Sequence, residues 1–466
     1  MTRRRPKKDH SQLPGGKMFH MGLYSTGWCI QTATAYGWTP LLNGVFAGEH
    51  EREWMKPDLY IDVATSLERA GFDFMLMADG NHVGSTFSGS AETALRLGIS
   101  SPRNDPMPLV PILAQRTKHL AFVPTVSSTF YPPYLAARLF STLDHISEGR
   151  VGFNLVTSFV HEAAQNYGME TIPPKALRYE MAAEWVDIFK GLQASWEPDA
   201  IVADYEKAIF ADHTKVHRLD YVGKYYRCRG PLNTMPGPQG RIPMIEAGNS
   251  PPGRDLAARH SDALMANVQS VADMKTLRED MHRRLRSHGR DPSSFKVLFL
   301  VRPIIGDTDA DAQRQAQAII DLRSTREYRA TQLWFMDQLT GLDFSHYDLD
   351  RPCTEIISDI AANKGGIDRS SVELLFKGTE GKSLGEMLSS RGFDVDLGLI
   401  GTPETVAAKM GELMQEVGGD GFLLTTTTNR RAIAEIADGL APALRRRGLI
   451  RDHYEGKTFR DNLHEF

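Results

Sequence analysis

Cysteine is scarce in this sequence, and the few cysteines that it has lie far apart. Only Cys29, Cys228 and Cys353 carry a thiol among 466 residues. An odd number at such spacing offers neither a disulfide framework nor a cysteine-based metal site, and it fits a reducing cytoplasm. The 15 histidines form no HExxH motif. We therefore expect a cytoplasmic protein without a bound metal ion.

Long apolar runs and a strong charge of either sign are also absent. No stretch approaches the roughly 18 apolar residues of a membrane span. The formal net charge of −4 argues against nucleic acid or a membrane surface as a partner. The basic run at residues 3–8 has no apolar segment behind it, so it does not resemble a signal peptide. Residues 1–17 are predicted to be a flexible N-terminal arm.

A glycine-rich turn after the first predicted strand is missing too, which weighs against a doubly wound sheet. Short apolar segments instead alternate with helical patterns eight times. This alternation predicts an α/β fold, a (β/α)8 TIM barrel, over residues 18–450. Two excursions, at about 197–240 and 307–400, are predicted to be insertions, and residues 451–466 a C-terminal tail. The predicted strands are residues 18–24, 72–78, 120–126, 151–156, 241–247, 263–268, 295–301 and 421–425.

The stretch from residue 146 to residue 158 shows best how such a strand would present chemistry. Gly149 is predicted to end a helix, because glycine adopts the left-handed conformation without penalty. The apolar run 151–156 is typical of a buried parallel strand, and polar residues follow it. In α/β barrels such strand ends carry the active site. The alternative is a strand whose polar end simply faces water.

Side chains at the ends of the other strands are expected to share that face. Hydroxyl and amide groups predominate among them, and Asp79 and Glu246 are the only pair of carboxylates. A glycosidase would require such a pair at a defined distance, whereas a donor-rich mouth better suits a polyanionic, polycyclic cofactor. The expected group comprises His20, Tyr24, Asp79, Thr125, Asn154, Ser158 and residues 246–250 and 425–428.

Residues 247–250, Ala-Gly-Asn-Ser, precede Gly253 and Arg254 at a predicted helix start. Free backbone N–H groups and the positive end of the helix dipole favour an anion at such a place, so the pattern predicts a phosphate cradle. The alternative is an ordinary capped turn between a strand and a helix.

Several ordered blocks carry a family likeness. They include residues 68–79 (ERAGFDFMLMAD), 124–134 (PTVSSTFYPPY), 143–158 (LDHISEGRVGFNLVTS), 230–233 (GPLN), 238–241 (PQGR) and 247–250 (AGNS). With these blocks the sequence resembles the bacterial-luciferase-like flavin-dependent monooxygenases. Within them it looks most like the branch of large oxygenase components for nitrilotriacetate, EDTA and dibenzothiophene sulfone.

The resemblance implies an FMN-dependent barrel that receives FMNH2 from a separate NAD(P)H-dependent flavin reductase. With O2 as co-substrate, it would oxygenate a small organic substrate, and it would form a homodimer or homotetramer. Tyr179 and Ser250 would lie near the flavin phosphate, and Lys175 stands where the branch usually has histidine. The flavin contacts implied by the resemblance are Asp79, Thr125, Lys175, Tyr179, Asn249 and Ser250.

The first loop departs from the branch, so no catalytic residue is assigned. Trp28 is expected over the isoalloxazine ring, where relatives have a polar or thiol residue. The candidates for the substrate face are His20, Trp28, Gln31 and His82, although each could simply be a packing residue. Two other functions stay open: a non-catalytic flavin-binding accessory protein, and a deazaflavin-dependent oxidoreductase of the same superfamily.

Overall fold

The computed structural model describes residues 18–25, 28–29, 53–268, 270–362, 369–390, 397–426 and 429–466. Its strands, in chain order, are β1 (His20–Ser25), β2 (Trp28–Cys29), β3 (Phe74–Met77), β4 (Arg103–Asn104), β5 (Ala121–Ser127), β6 (Phe153–Val156), β7 (Ile201–Asp204), β8 (Ile209–Ala211), β9 (Tyr221–Val222), β10 (Arg227–Cys228), β11 (Met244–Glu246), β12 (Ala263–Ala266), β13 (Lys296–Val301), β14 (Ile304–Ile305), β15 (Ile400–Gly401) and β16 (Gly421–Thr425).

Eight of these strands close into a parallel barrel, which confirms the predicted (β/α)8 fold. Around the wall the order is β1, β3, β5, β6, β11, β12, β13 and β16, with β16 pairing back onto β1. All seven residues of β5 are buried, because one face of the strand lines the barrel interior and the other packs under helices. The register places Thr125 opposite Asn154 at the ends of β5 and β6.

Helices pack around the barrel and also occupy the region between β13 and β16. They are α1 (Pro57–Arg69), α2 (Glu92–Leu97), α3 (Leu109–Ala114), α4 (Pro133–Ile146), α5 (His161–Asn166), α6 (Lys175–Gln193), α7 (Pro251–His260), α8 (Val271–Ser287), α9 (Asp309–Leu322), α10 (Arg326–Thr340), α11 (Cys353–Ala362), α12 (Arg369–Phe376), α13 (Leu384–Ser390), α14 (Pro403–Val417), α15 (Arg430–Ala434), α16 (Ala441–Arg446) and α17 (Phe459–Leu463), with a π-helical turn at Glu435–Leu440. Among the helices of the described residues, none is both long and apolar enough to cross a membrane.

Local sequence signals explain several of these boundaries. The side chain of Thr402 accepts a hydrogen bond from the backbone of Thr405, and Pro403 occupies the first position of α14. Gly149 follows α4 with a φ of 84°, as its predicted left-handed conformation requires. Helix α1 has no side-chain cap: Lys56 precedes the helix, and Asp58 lies within its first turn.

The N-terminal end of the barrel is closed by the end of the chain. Phe459 and Leu463 of α17 pack against Phe74 and the other side chains of the barrel interior. The ring of His20 lies at this end, where its Nδ1 atom is 3.0 Å from Asp73. Arg451 also donates to Asp73, at 2.5 Å, and all three side chains are buried.

His20 is therefore not on the substrate face, and that prediction is wrong. The residue opens β1 and pairs with Gly421 at the start of β16, so it lies at the end of the barrel opposite the strand C-termini. The apolar pattern of residues 18–24 does not indicate which residue begins the strand, so it could not place His20 at one end of the barrel or the other.

Two regions depart from the regular alternation of strands and helices. Between α6 and β11, the chain forms two small antiparallel pairs, β7 with β8 and β9 with β10. Between β13 and α14 lie helices α9–α13 and the short parallel pair of β14 with β15. Helices of this second region share an apolar core with Phe87, Ala94, Leu97 and Ile99 from the segment after β3.

Candidate active site

A cavity of about 390 Å³ opens at the C-terminal ends of the barrel strands. Its volume falls in the range of sites that hold small molecules and cofactors, about 300–1,000 Å³. The predicted strand-end residues that line it with polar side chains are Tyr24, Asp79, Thr125, Asn154, Ser158 and Glu246. Tyr179 and His82 line it as well, so the topology brings together side chains that are far apart in the sequence.

At one end of the cavity, two hydroxyl groups meet the N-terminus of α7, where the sequence predicts an anion. Ser250 is the N-cap of α7: its side chain accepts a hydrogen bond from the backbone of Gly253, and its Oγ lies 3.4 Å from the Tyr179 hydroxyl. A Cβ atom at Gly248 would lie 2.9 Å from the Cα of Gly253, so only glycine permits this close approach of strand end and helix start. Hydroxyl donors and a helix N-terminus together attract negative charge.

Hydroxyl and amide groups of β5 and β6 form the floor of the cavity. The Nδ2 of Asn154 donates to Thr125 Oγ1 at 2.9 Å, and the Oγ atoms of Ser127 and Ser158 are 2.8 Å apart. Oδ1 of Asn154 is buried without a hydrogen-bond partner, so it is available to a ligand. Ser158 adopts a φ of 54°, a strained conformation for a residue with a side chain that is common at functional sites.

The segment after β3 supplies the charged part of the wall. Burial raises the pKa of Asp79, against opposing effects of the Gly80 backbone and the guanidinium of Arg103. Asn81 donates to Asp79 at 3.2 Å. Burial also lowers the pKa of His82, which favours a neutral imidazole.

The second insertion provides a wall that the sequence pattern did not reveal. Trp334, Phe335, Gln338 and Leu339 of α10 line the cavity. The Oε1 of Gln338 accepts a hydrogen bond from Nε2 of His82 at 2.8 Å. The four-residue spacing of Trp334 and Gln338 predicts that they share one helix face. The neighbouring sequence does not indicate that this face covers the mouth of the barrel.

The remaining predicted residues lie around or beyond this cavity. Lys175 is the first residue of α6, one turn before Tyr179, and is half-buried outside the lining. Asn249 and Ser250 also lie outside the lining, and the Nδ2 of Asn249 donates to the carbonyl of Asn267 at 3.3 Å. Trp28 pairs with Asn104 through the backbone of β2. Gln31 and residues 427–428 lie outside the described residues.

No group of three or more metal-ligating side chains occurs within the ranges that the structure describes. Glu246 and Asp79 both line the cavity, but each is a single carboxyl group among hydroxyl, amide and aromatic neighbours. The arrangement suits binding of a large polar ligand better than metal-assisted hydrolysis.

The fold and this cavity define an α/β-barrel enzyme whose mouth combines an anion-binding end with an aromatic wall. The chain belongs to the luciferase-like monooxygenase family, whose model matches residues 39–421. This confirms the resemblance found in the sequence blocks. By this membership the protein is an enzyme of the luciferase-like monooxygenase class.

Relatives and solved structures extend this similarity over nearly the whole chain. A dibenzothiophene-sulfone monooxygenase of Rhodococcus erythropolis is 30% identical over 96% of both chains. Nitrilotriacetate monooxygenase component A of Aminobacter aminovorans is 30% identical over 87% of this chain and 89% of its own. The crystal structure of a riboflavin lyase with modified FMN and riboflavin superposes with a TM-score of 0.83, at 27% identity, over 97% of this chain and 96% of that one.

Proposed function

We propose that this chain is the oxygenase component of a two-component monooxygenase, which receives FMNH2 from a separate NAD(P)H-dependent flavin reductase. The observation that carries the proposal is the anion-binding end formed by Tyr179, Ser250 and the N-terminus of α7. Two names among the similar proteins support it: one relative is a component A, and the riboflavin lyase structure contains a modified FMN.

The residues present fit FMN at both ends of the cavity. The phosphate would be held by the hydroxyl groups of Tyr179 and Ser250 at the positive end of the α7 dipole. Pro251 and Pro252 open this helix and carry no N–H, and the N–H of Gly253 already donates to Ser250. Lys175 and Asn249 flank this end and would act from its margin. The isoalloxazine ring would lie over Thr125 and Asn154, whose unpartnered Oδ1 can accept a hydrogen bond from a ring N–H. Asp79 would form a hydrogen bond with the flavin on the side away from its phosphate.

When bound, reduced flavin would supply the electrons for the reaction, in which one atom of O2 enters the substrate and the other becomes water. The protein positions the substrate against the flavin and keeps bulk water out. The aromatic and aliphatic side chains of the cavity wall suit this role, and they are Phe130, Phe159, Trp334, Phe335 and Leu339. They would receive the apolar part of a small organic substrate, with neutral His82 as a hydrogen-bonding group beside it.

The test is an anaerobic titration of the purified protein with FMNH2, followed by rapid mixing with O2. We expect saturable binding and a change in the rate of flavin oxidation relative to free FMNH2. Tighter binding of reduced deazaflavin than of FMNH2 would favour the deazaflavin-dependent alternative. Absence of binding by either flavin would refute the proposal.

A further inference from the structure

Glu246, at the end of β11, is a carboxyl group buried in the cavity wall. The residue is 2% exposed, and its Oε2 atom has no hydrogen-bond partner. A buried polar atom left unpaired destabilises the folded protein, so its presence requires an explanation. Because Glu246 lines the cavity, a bound ligand can supply the missing partner.

The position of this carboxyl group relates it to the anion-binding end. A Cβ atom placed on Gly248 would lie 2.8 Å from Oε1 of Glu246 and 3.3 Å from the hydroxyl of Tyr179. The same point is 2.9 Å from the Cα of Gly253 in the first turn of α7. Glu246 therefore stands beside the hydroxyl and helix N-terminus that attract negative charge.

An ionised carboxylate would oppose that attraction, whereas a neutral acid would reinforce it. Burial raises the pKa of Glu246 well above its usual value. The neighbouring strands present Leu155 and Leu264 at the paired positions, and neither can stabilise a charge. From α6, the group facing it is the Tyr179 hydroxyl, whose own pKa is raised, first by burial and then by Glu246.

Three cations of the adjoining helices lie nearby: Lys175 at the margin of this end, and Arg178 and Arg254, which hydrogen-bond to other groups. Arg178 of α6 donates to the carbonyl of Pro173 at 2.6 Å. Arg254, in the first turn of α7, donates to Asp280 at 2.8 Å and to the Asn249 carbonyl at 2.9 Å. The surroundings of Glu246 thus favour its protonated form, in which the acid is a hydrogen-bond donor.

We propose that Glu246 binds the phosphate of the flavin as a neutral acid, donating its proton in a hydrogen bond to a phosphate oxygen. This inference rests on the proposed flavin site and adds a positioning residue to it. An O–H···O⁻ hydrogen bond of this kind is short and stronger than a neutral one. When the free protein carries ionised Glu246, binding must take up one proton, so affinity for the phosphorylated ligand falls as pH rises.

The experiment compares FMNH2 affinity between pH 7.0 and 9.5 in the wild type and in Glu246→Gln, under anaerobic conditions. The amide of glutamine can donate a hydrogen bond but cannot ionise. Above the pKa of Glu246 in the free protein, we expect the wild-type dissociation constant to rise up to about tenfold per pH unit relative to that of Glu246→Gln, because only the wild type must take up a proton to form this bond. Ionisation of the flavin itself is common to both proteins and cancels in the comparison.

Reduced riboflavin, which lacks the phosphate, is the matched ligand. Its affinity should show no difference in pH dependence between the two proteins. A difference equal to that for FMNH2 would place the bond on the ribityl or ring atoms and overturn the phosphate assignment. Parallel FMNH2 profiles in wild type and Glu246→Gln would overturn the proposal altogether.

A second measurement needs no variant, in case Glu246→Gln fails to fold. Calorimetric titration of the wild type with FMNH2 at pH 9, in two buffers of different ionisation enthalpy, reports the protons taken up on binding. We expect uptake above that seen with reduced riboflavin, and equal uptake would contradict the role of Glu246. Failure of FMNH2 to bind wild type at any pH would instead refute the flavin site itself.

Discussion

The Nε2 atom of His82 lies 2.8 Å from the Oε1 atom of Gln338, although the two residues are 256 positions apart. His82 follows β3, and Gln338 belongs to α10 of the second insertion. The amide of Gln338 also donates to the hydroxyl of Thr86 at 2.9 Å. The side chain of Gln338 thereby links α10 to His82 and Thr86, two residues of the segment after β3.

The first prediction concerns this connection. Gln338→Ala removes both hydrogen bonds, each worth about 1 kcal/mol. We expect backbone amides of residues 82–101 to exchange with deuterium about 30-fold faster, because losing both bonds makes local opening easier. Gln332→Ala, on the same helix but outside the cavity lining, is the matched control and should leave the exchange unchanged. Equal exchange in the two variants would show that the connection does not hold the segment closed.

The second prediction concerns Asp337, the neighbour of Gln338. Burial is the main cause that raises its pKa. The nearby carboxyl groups of Asp343 and Glu162 raise it further, a hydrogen bond from Thr86 lowers it, and the resulting pKa is about 7. In the unfolded chain the group titrates near 3.8. Between these values the folded protein retains a proton that the unfolded chain has lost. Stability therefore falls as pH rises from about 4 to 7, by a few kcal/mol at most.

Asp337→Asn cannot ionise, so its melting temperature should fall less between pH 5 and pH 8 than that of the wild type. Differential scanning calorimetry at the two pH values measures this. Asp350→Asn, an exposed aspartate of the same insertion, should follow the wild type. A wild-type pH dependence retained in Asp337→Asn would contradict the assignment.

A third prediction tests the anion-binding end. Tyr179→Phe and Ser250→Ala should each weaken FMNH2 binding about tenfold or more, because hydrogen bonds to a charged group are worth about 1.5–3 kcal/mol. Riboflavin binding should change much less. Ser250→Ala also removes a helix cap, which costs about 1 kcal/mol of stability. The control is Ser270→Ala, which removes the cap of α8 away from the cavity and should spare flavin affinity.

The fourth prediction concerns the closed end of the barrel. Burial alone would raise the pKa of Asp73, but Arg451 and His20 together lower it to about 2. Asp73 therefore adds stability above pH 4 that is lost as pH falls from about 4 to 2. Asp73→Asn leaves Arg451 and His20 without this charge and should cost about 3 kcal/mol.

Thermal unfolding at pH 7 should accordingly begin several degrees lower in Asp73→Asn, while the affinity for FMNH2 stays within twofold of the wild type. We expect stability to change without flavin affinity because Asp73 and the cavity lie at opposite ends of the barrel. Reduced flavin affinity with an unchanged melting temperature would mean that this cluster belongs to the active site after all.

Local patterns in the sequence determined the barrel and one end of its cavity. Apolar strands alternating with amphipathic helices specify (β/α)8 topology, since each segment must bury its own apolar face. The turn at residues 247–250 and the cap at Ser250 also follow from the sequence, because both depend on consecutive residues. The sequence blocks also specified the family, which the relatives confirm.

Tertiary structure alone decided what depends on packing between distant segments. It placed His20 against Asp73 and Arg451 at the closed end, since strand register, and not the apolar pattern, sets the height of a side chain in the barrel. It brought α10 over the mouth through an apolar core shared with residues 87–99. It also left Glu246 buried without a partner for Oε2, a property of three-dimensional surroundings that no run of consecutive residues encodes.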